Sequence, residues 1–197
     1  MTTPLYGLIL AGGQSTRMGQ DKAALDYAGQ PQLDAAFALL APLVERCFVS
    51  VRPDQIHDPV RARFPQIVDR LDSVGPAAGL LAAHAAHPHV AWLAVACDLP
   101  RLDRATLDTL IAARDTACHS AVAFRSTFDD LPEPLCTIWE PAALTALAAS
   151  FAQGRTCPRK TLIHGDTRLL PPRSGGALDN VNTPQERDAA LARIGAP

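Results

Sequence analysis

Residues 5–11, Leu-Tyr-Gly-Leu-Ile-Leu-Ala, form a continuous apolar run that stops at Gly12 and Gly13. A run this short, without polar alternation, predicts a strand covered on both faces, as in a parallel sheet. Residues 32–44 then place Leu33, Phe37, Leu40 and Val44 at helical spacing. A second apolar strand is expected over 47–51, stopped by Pro53, and a shorter third over 66–69, ending in Asp69. Gly75-Pro76 marks a turn, and the alanine-rich stretch from about residue 79 to 87 predicts a helix. Residues 90–97, Val-Ala-Trp-Leu-Ala-Val-Ala-Cys, are the clearest buried strand, and they lead into Asp98-Leu99-Pro100. A helix from 103 or 104 to 113 and a strand over 120–124 follow. Strands and helices thus alternate, which predicts an α/β fold: a Rossmann-like, doubly wound, mostly parallel sheet with right-handed crossovers. Ligands of such sheets bind at the carboxyl ends of the strands. Chemistry is therefore expected in the loops after Ala11, Val51, Val68 and Cys97.

The last third has another texture. Proline and acid cluster over 129–134, a strand is expected over 135–139, and a helix over 141–151 begins at a proline. Beyond Gly154 only short apolar runs, 161–163 and 168–170, stand out before a loop at 171–176. Asn182-Thr183-Pro184 opens a final helix, with Thr183 placed to cap it. No repeat or low-complexity linker divides the chain, and 197 residues suit a single domain.

Composition narrows the function. A formal net charge of -2 and few aromatic residues argue against a nucleic-acid or membrane partner, both of which favour a basic surface. The start of the chain shows no basic flank followed by a long apolar core, so a cytoplasmic protein is expected. Cys47, Cys97, Cys118, Cys136 and Cys157 include no C-x-x-C pair, so reduced thiols are expected rather than zinc ligands or disulfides. Of eighteen basic residues only Lys22 and Lys160 are lysines. An ammonium is a compact charge that the planar arginine fork does not reproduce, which draws attention to Lys22. For Lys160, chance is as good an explanation.

The first loop reads Leu10-Ala11-Gly12-Gly13-Gln14-Ser15-Thr16-Arg17-Met18-Gly19-Gln20-Asp21-Lys22. Paired glycines after a buried strand let backbone N–H groups approach an anion, and Arg17 and Lys22 add charge for a polyphosphate. The string is neither a Walker loop nor a dinucleotide fingerprint. Asp98 leaves the end of a central strand, where a carboxylate faces the ligand crevice and suits a hard cation; a turn or helix-capping aspartate is the plainer reading.

The string A-G-G-x-S-x-R-M-G-x-D-K, with Ala96-Cys97-Asp98-Leu99-Pro100, resembles the molybdenum cofactor guanylyltransferases and their wider nucleotidyltransferase family, over nearly the full chain. The resemblance implies a nucleotide-diphospho-sugar-transferase type of fold, with a nucleotide-binding part at 1–125 and an acceptor-side part at 126–197. It implies nucleotide contacts from Leu10, Ala11, Gly12, Gly13, Lys22, Asp69 and Asp98, and catalytic roles for Lys22, Arg17 and Asp98. It also implies Mg2+ on Asp98, with Asn182 of Asn180-Val181-Asn182-Thr183-Pro184 as a second polar group near the metal. Taken alone, Asp69 reads equally as a solvated loop acid, and Asn182 as a helix-start residue. GTP and molybdopterin are the substrates the resemblance implies, with a monomer or small homo-oligomer. Guanine rests on Ala11-Gly12-Gly13, where relatives that use CTP usually have A-A-G.

Two positions depart from the pattern. Arg52 stands where relatives commonly have asparagine. Glu133-Pro134-Leu135-Cys136 resembles the strand beside the acceptor pocket, whereas Cys157-Pro158-Arg159-Lys160 has no counterpart: Arg159 and Lys160 fit an acceptor phosphate or the solvated start of a helix. Two other functions remain open from sequence. One is a related transferase using CTP or another NTP on a different phosphorylated acceptor; the other is a non-catalytic nucleotide-binding partner in cofactor assembly.

Overall fold

The computed structural model describes residues 3–13, 21–27, 29–71, 75–115 and 117–194. In chain order these form β1 (Leu5–Leu10), β2 (Asp26–Tyr27), β3 (Gln30–Pro31), α1 (Gln32–Leu40), β4 (Arg46–Val51), β5 (Gln66–Val68) and α2 (Pro76–Ala86). Then come β6 (Ala91–Ala96), α3 (Arg104–Ala112), β7 (Ala121–Arg125), β8 (Pro132–Trp139), α4 (Pro141–Ala152), α5 (Pro158–His164), β9 (Thr167–Leu170) and α6 (Pro184–Ile194). Seven strands make one sheet in the order β5-β4-β1-β6-β8-β7-β9, and β2 with β3 forms a separate small ribbon. β8 runs antiparallel to both its neighbours and the other six strands run parallel. The mostly parallel, doubly wound sheet expected from the alternation is therefore present.

The apolar runs are continuous because both faces of the sheet are covered. Leu8 and Ile9, adjacent on β1, point to opposite faces as the two-residue period requires. Ile9 joins Val49, Leu93, Leu33, Leu40 and Leu107 in the core that includes α1 and α3. Leu8 joins Phe48, Trp92, Leu80, Leu144 and Leu162 in the core that includes α2, α4 and α5.

Several boundaries differ from the sequence reading: α1 ends at Leu40 and passes into a 3₁₀ turn at Ala41–Leu43 instead of running to residue 44, and proline accounts for two others. α2 begins at Pro76, three residues earlier than expected, since a proline in the first turn gives up no helical hydrogen bond and Gly75 turns the chain at φ 63°. β8 begins at Pro132, three residues early, because the prolines fall at a strand start beside a register shift between Ala123 and Arg125, where a missing N–H is tolerated. The run 161–163 lies inside α5, which starts at Pro158. Thr183 does cap α6: its hydroxyl accepts from the Glu186 N–H at 3.2 Å, while Glu186 Oε2 accepts from Asn182 and Thr183 N–H at 2.6 and 3.1 Å. Such a reciprocal box satisfies the Glu186 donor of the first turn together with the two N–H groups just before the helix.

Candidate active site

The carboxyl ends of β1, β4, β5 and β6 open on a cleft of about 540 Å³, a size suited to a small-molecule ligand. Leu10, Ala11, Gly12, Gly13, Lys22, Asp69, Asp98 and Asn182 all line it. Sequence reading thus brings together every proposed site residue except Arg17, which lies outside the described residues.

Asp98 follows β6, and its Oδ2 accepts from Lys22 Nζ at 2.8 Å. The same ammonium donates to Asn182 Oδ1 at 2.5 Å. One cation therefore joins three segments that lie far apart in sequence. Asn182 arrives because the stretch before α6 docks on the turn after β6, where Val181 N–H donates to the Asp98 carbonyl at 3.0 Å. The second carboxylate oxygen, Asp98 Oδ1, is buried and has no hydrogen-bond partner among the described residues. A buried carboxylate oxygen left unpaired is costly and is a natural position for a cation or a donor. Lys22 itself is set by a 3₁₀ turn that Asp21 caps, accepting from Ala23 N–H at 3.1 Å.

Asp69 is buried rather than solvated, which removes the plainer reading of it as an exposed loop acid. Its N–H donates to the Val51 carbonyl at 2.9 Å, continuing the β4–β5 ladder by one residue. A Cβ built on Gly12 would lie 3.2 Å from Asp69 Oδ2, so glycine lets this carboxylate approach the first loop. Gly79 is under a stricter constraint: a Cβ there would meet Ser50 Oγ at 2.5 Å and Leu10 Cδ2 at 2.7 Å. The first turn of α2 therefore lies directly against the ends of β1 and β4, closing one wall of the cleft.

Arg52 holds the position expected of asparagine, and its Nη1 donates to the Gly12 carbonyl at 2.5 Å while its Nε and Nη2 bind Asp54 at 3.0 and 2.8 Å. Arg159 instead leaves the cleft, pairing with Asp129 at 2.6 Å and Glu133 at 3.6 Å beside β8, and Lys160 is exposed on α5. Neither lines the cleft. All five cysteines are free. Burial pushes the thiols of Cys47, Cys97 and Cys136 up to about 12, so none of these three is a thiolate at neutral pH.

Sequence reasoning missed Arg61. Its guanidinium, almost wholly buried, binds the Ala11 carbonyl and the carboxylates of Asp21 and Asp58. No local pattern marks its role, since apart from Asp58 its partners come from the first loop, 40 and 50 residues earlier.

Among the described residues no helix is long and apolar enough to cross a membrane. A family model for the MobA-like NTP transferase domain matches residues 7–167. The chain is 39% identical to the molybdenum cofactor biosynthesis bifunctional protein of Synechocystis, over 93% of this chain and 53% of that protein, so it spans about half that relative's length. It is 31% identical to the molybdenum cofactor guanylyltransferase of Pseudomonas fluorescens, over 92% of this chain and 91% of that one. Among solved structures, molybdopterin-guanine dinucleotide biosynthesis protein A from Archaeoglobus fulgidus superposes with a TM-score of 0.80 at 20% identity, covering 96% and 98% of the two chains. A CMP:2-keto-3-deoxy-manno-octonic acid synthetase complexed with CTP superposes at 0.75 with 15% identity over 98% of each chain. At these identities the two structures establish the fold alone. The family model and the full-length relatives establish more: this chain belongs to the family of MobA-like NTP transferases.

Proposed function

We propose that the protein transfers GMP from GTP to the phosphate of molybdopterin, releasing pyrophosphate. The observation that carries the reading is the convergence of Lys22, Asp98 and Asn182 in a cleft that Gly12 and Gly13 also line. The names of the full-length relatives supply the acceptor and the base. In this reading residues 1–125 bind the nucleotide and 126–197 face the acceptor, with Asn182 reaching back across to Lys22.

In the transfer, an oxygen of the acceptor phosphate forms a bond to the α-phosphorus of GTP. The bond from that phosphorus to the α–β bridging oxygen breaks, and pyrophosphate leaves with the electron pair. Positioning and charge neutralisation supply most of the rate in such reactions. Lys22 stabilises charge gathering at the α-phosphate, Arg17 the departing pyrophosphate, and the N–H groups near Gly12 and Gly13 hold phosphate oxygens. No covalent enzyme intermediate is needed.

The donor set fits Mg2+. Asp98, with its unpartnered buried Oδ1, and Asn182 would hold the ion as hard oxygen donors, and magnesium commonly takes one or two carboxylates and completes its shell with substrate phosphates and water. When bound, such an ion would neutralise phosphate charge.

Calorimetry in magnesium buffer tests the reading, with GTP, CTP and ATP titrated into the wild type and Asp98→Ala. GTP preference that weakens in the variant, followed by molybdopterin-dependent pyrophosphate release, is the expected result. Preference for CTP or ATP moves the activity to another acceptor, and absence of nucleotide binding refutes it.

A further inference from the structure

Resting on the nucleotidyltransferase reading, we propose that Arg61 is a positioning residue that sets the phosphate-binding backbone of the first loop by clasping both of its ends. At the start of the loop, Arg61 Nε and Nη2 donate to the Ala11 carbonyl at 3.2 and 3.0 Å. At its end, Nη1 and Nη2 donate to Asp21 Oδ2 and Oδ1 at 2.5 and 2.8 Å, in the two-pronged geometry that a planar fork favours. Asp21 immediately precedes Lys22 and caps the turn that carries it. A single side chain therefore fixes where the loop leaves β1 and where it delivers its ammonium.

The clasp also sets the direction of the peptide planes. The described chain has no cis peptide bond, and in a trans peptide the C=O and the following N–H point in opposite directions. Arg61 holds the Ala11 carbonyl and Arg52 holds the Gly12 carbonyl. The N–H groups of Gly12 and Gly13 must consequently turn away from the two guanidiniums. Successive N–H groups aimed the same way by a turn form an anion-binding concavity. Glycine at both positions leaves that approach free of side chains.

Arg61 is held in place independently of the loop. It sits in the β4–β5 connection, where Asp58 Oδ1 accepts from Val60 N–H at 3.1 Å, from Arg61 N–H at 3.0 Å and from Arg61 Nη1 at 3.1 Å. Phe64, three residues on, packs against Phe37 of α1 with ring centroids 4.5 Å apart. The side chain is 2% exposed. Burial, the largest influence on its ionisation, opposes the charge, and the hydrogen bonds and charges of Asp21 and Asp58 outweigh it to keep the guanidinium ionised. A buried ion cluster is a weak stabiliser compared with apolar packing, which makes its placement more informative than its energy.

The test compares GTP with GMP, which lacks the β- and γ-phosphates, by calorimetry in magnesium buffer for the wild type, Arg61→Lys and Asp21→Asn. Lysine keeps the charge and loses the fork, so GTP should bind at least about tenfold more weakly, the loss expected for one or more charge-assisted contacts, while GMP binding changes far less. That change in the GTP:GMP ratio distinguishes positioning of the phosphate site from general loosening. Equal loss for both ligands, or no loss for either, overturns the inference while leaving the proposed function intact. A wild type that binds neither overturns both. Should Arg61→Lys fail to fold by circular dichroism, Asp21→Asn decides on the same criterion, because it preserves the contacts of Arg61 with Ala11 and Asp58.

Discussion

Lys22→Met should make the protein less stable, nearly inactive, and better at binding a divalent cation without nucleotide. The ammonium bridges Asp98 Oδ2 at 2.8 Å and Asn182 Oδ1 at 2.5 Å. Lys22 and Asp98 side chains are 20% and 18% exposed, so the pair is screened less than a surface bridge. Hydrogen bonds to charged groups contribute about 1.5–3 kcal/mol, and about 2 kcal/mol is a fair figure for removing this one cation. In a chain of this length that corresponds to about 4–8 °C in Tm. A cation that binds Asp98 and Asn182 in the wild type must first displace the ammonium, and in the variant it need not. The same 2 kcal/mol therefore reappears as about thirtyfold tighter magnesium binding, at 1.4 kcal/mol per factor of ten. Turnover moves the other way, by at least about a hundredfold, since a preorganised donor to the reacting phosphate is gone. Thermal unfolding across a magnesium titration without nucleotide reads both stability effects: the variant should start lower and gain more. A variant whose Tm and magnesium response match the wild type would refute the view that ammonium and metal compete for one pair of oxygens.

The other predictions concern the frame of the site. Gly79→Ala in an open helix would stabilise by about 1 kcal/mol, but overpacking costs about 1–3 kcal/mol; with Ser50 Oγ at 2.5 Å from the new Cβ the clash should win, and a raised urea midpoint would contradict it. A thiol reagent at neutral pH should label the exposed Cys118 and Cys157 and spare the buried Cys47, Cys97 and Cys136 in the native protein; rapid labelling of a third cysteine would show that a core strand opens. For Asp21, burial is the largest influence and raises the carboxyl pKa, yet the hydrogen bond and charge of Arg61 bring it below the ordinary value. A lowered native pKa adds stability above the ordinary carboxylate range, about pH 4, which is lost as pH falls through the native value. Wild type and Asp21→Asn should therefore differ in Tm at pH 5 and converge toward pH 2, and a constant difference across that range would exclude the linkage.

The strands were legible because a sheet covered on both faces writes itself as unbroken apolar runs, as in β1, β4 and β6. Starts at proline were not, since Pro76 and Pro132 read as punctuation although a first helical turn or a strand start tolerates the missing N–H. In the site, the glycine loop and Asp98 could be read from the sequence because each sits next to the strand that positions it. Asn182 was marked only by the resemblance of Asn180-Val181-Asn182-Thr183-Pro184, because its approach depends on the Val181 N–H bond to the Asp98 carbonyl. Arg61 carried no sign at all, its role existing only once the β4–β5 connection has folded against the first loop.

The charges of the cleft also suggest why nucleotide and metal should cooperate. Each cationic side chain described in the cleft already has an acid: Arg52 with Asp54, Arg61 with Asp21 and Asp58, Lys22 with Asp98. The first two pairs hold backbone and remain useful with a ligand present. Lys22 is different, because an ammonium bound to Asp98 cannot put its full charge on a phosphate, and a divalent ion that displaces it from Asp98 releases it toward the nucleotide. A triphosphate drawing Lys22 away exposes Asp98 to the ion by the same amount, since coupling between two sites is reciprocal. On the proposed reading, a divalent ion and a triphosphate, which between them would take over Asp98 and Lys22, would each make the other's binding easier.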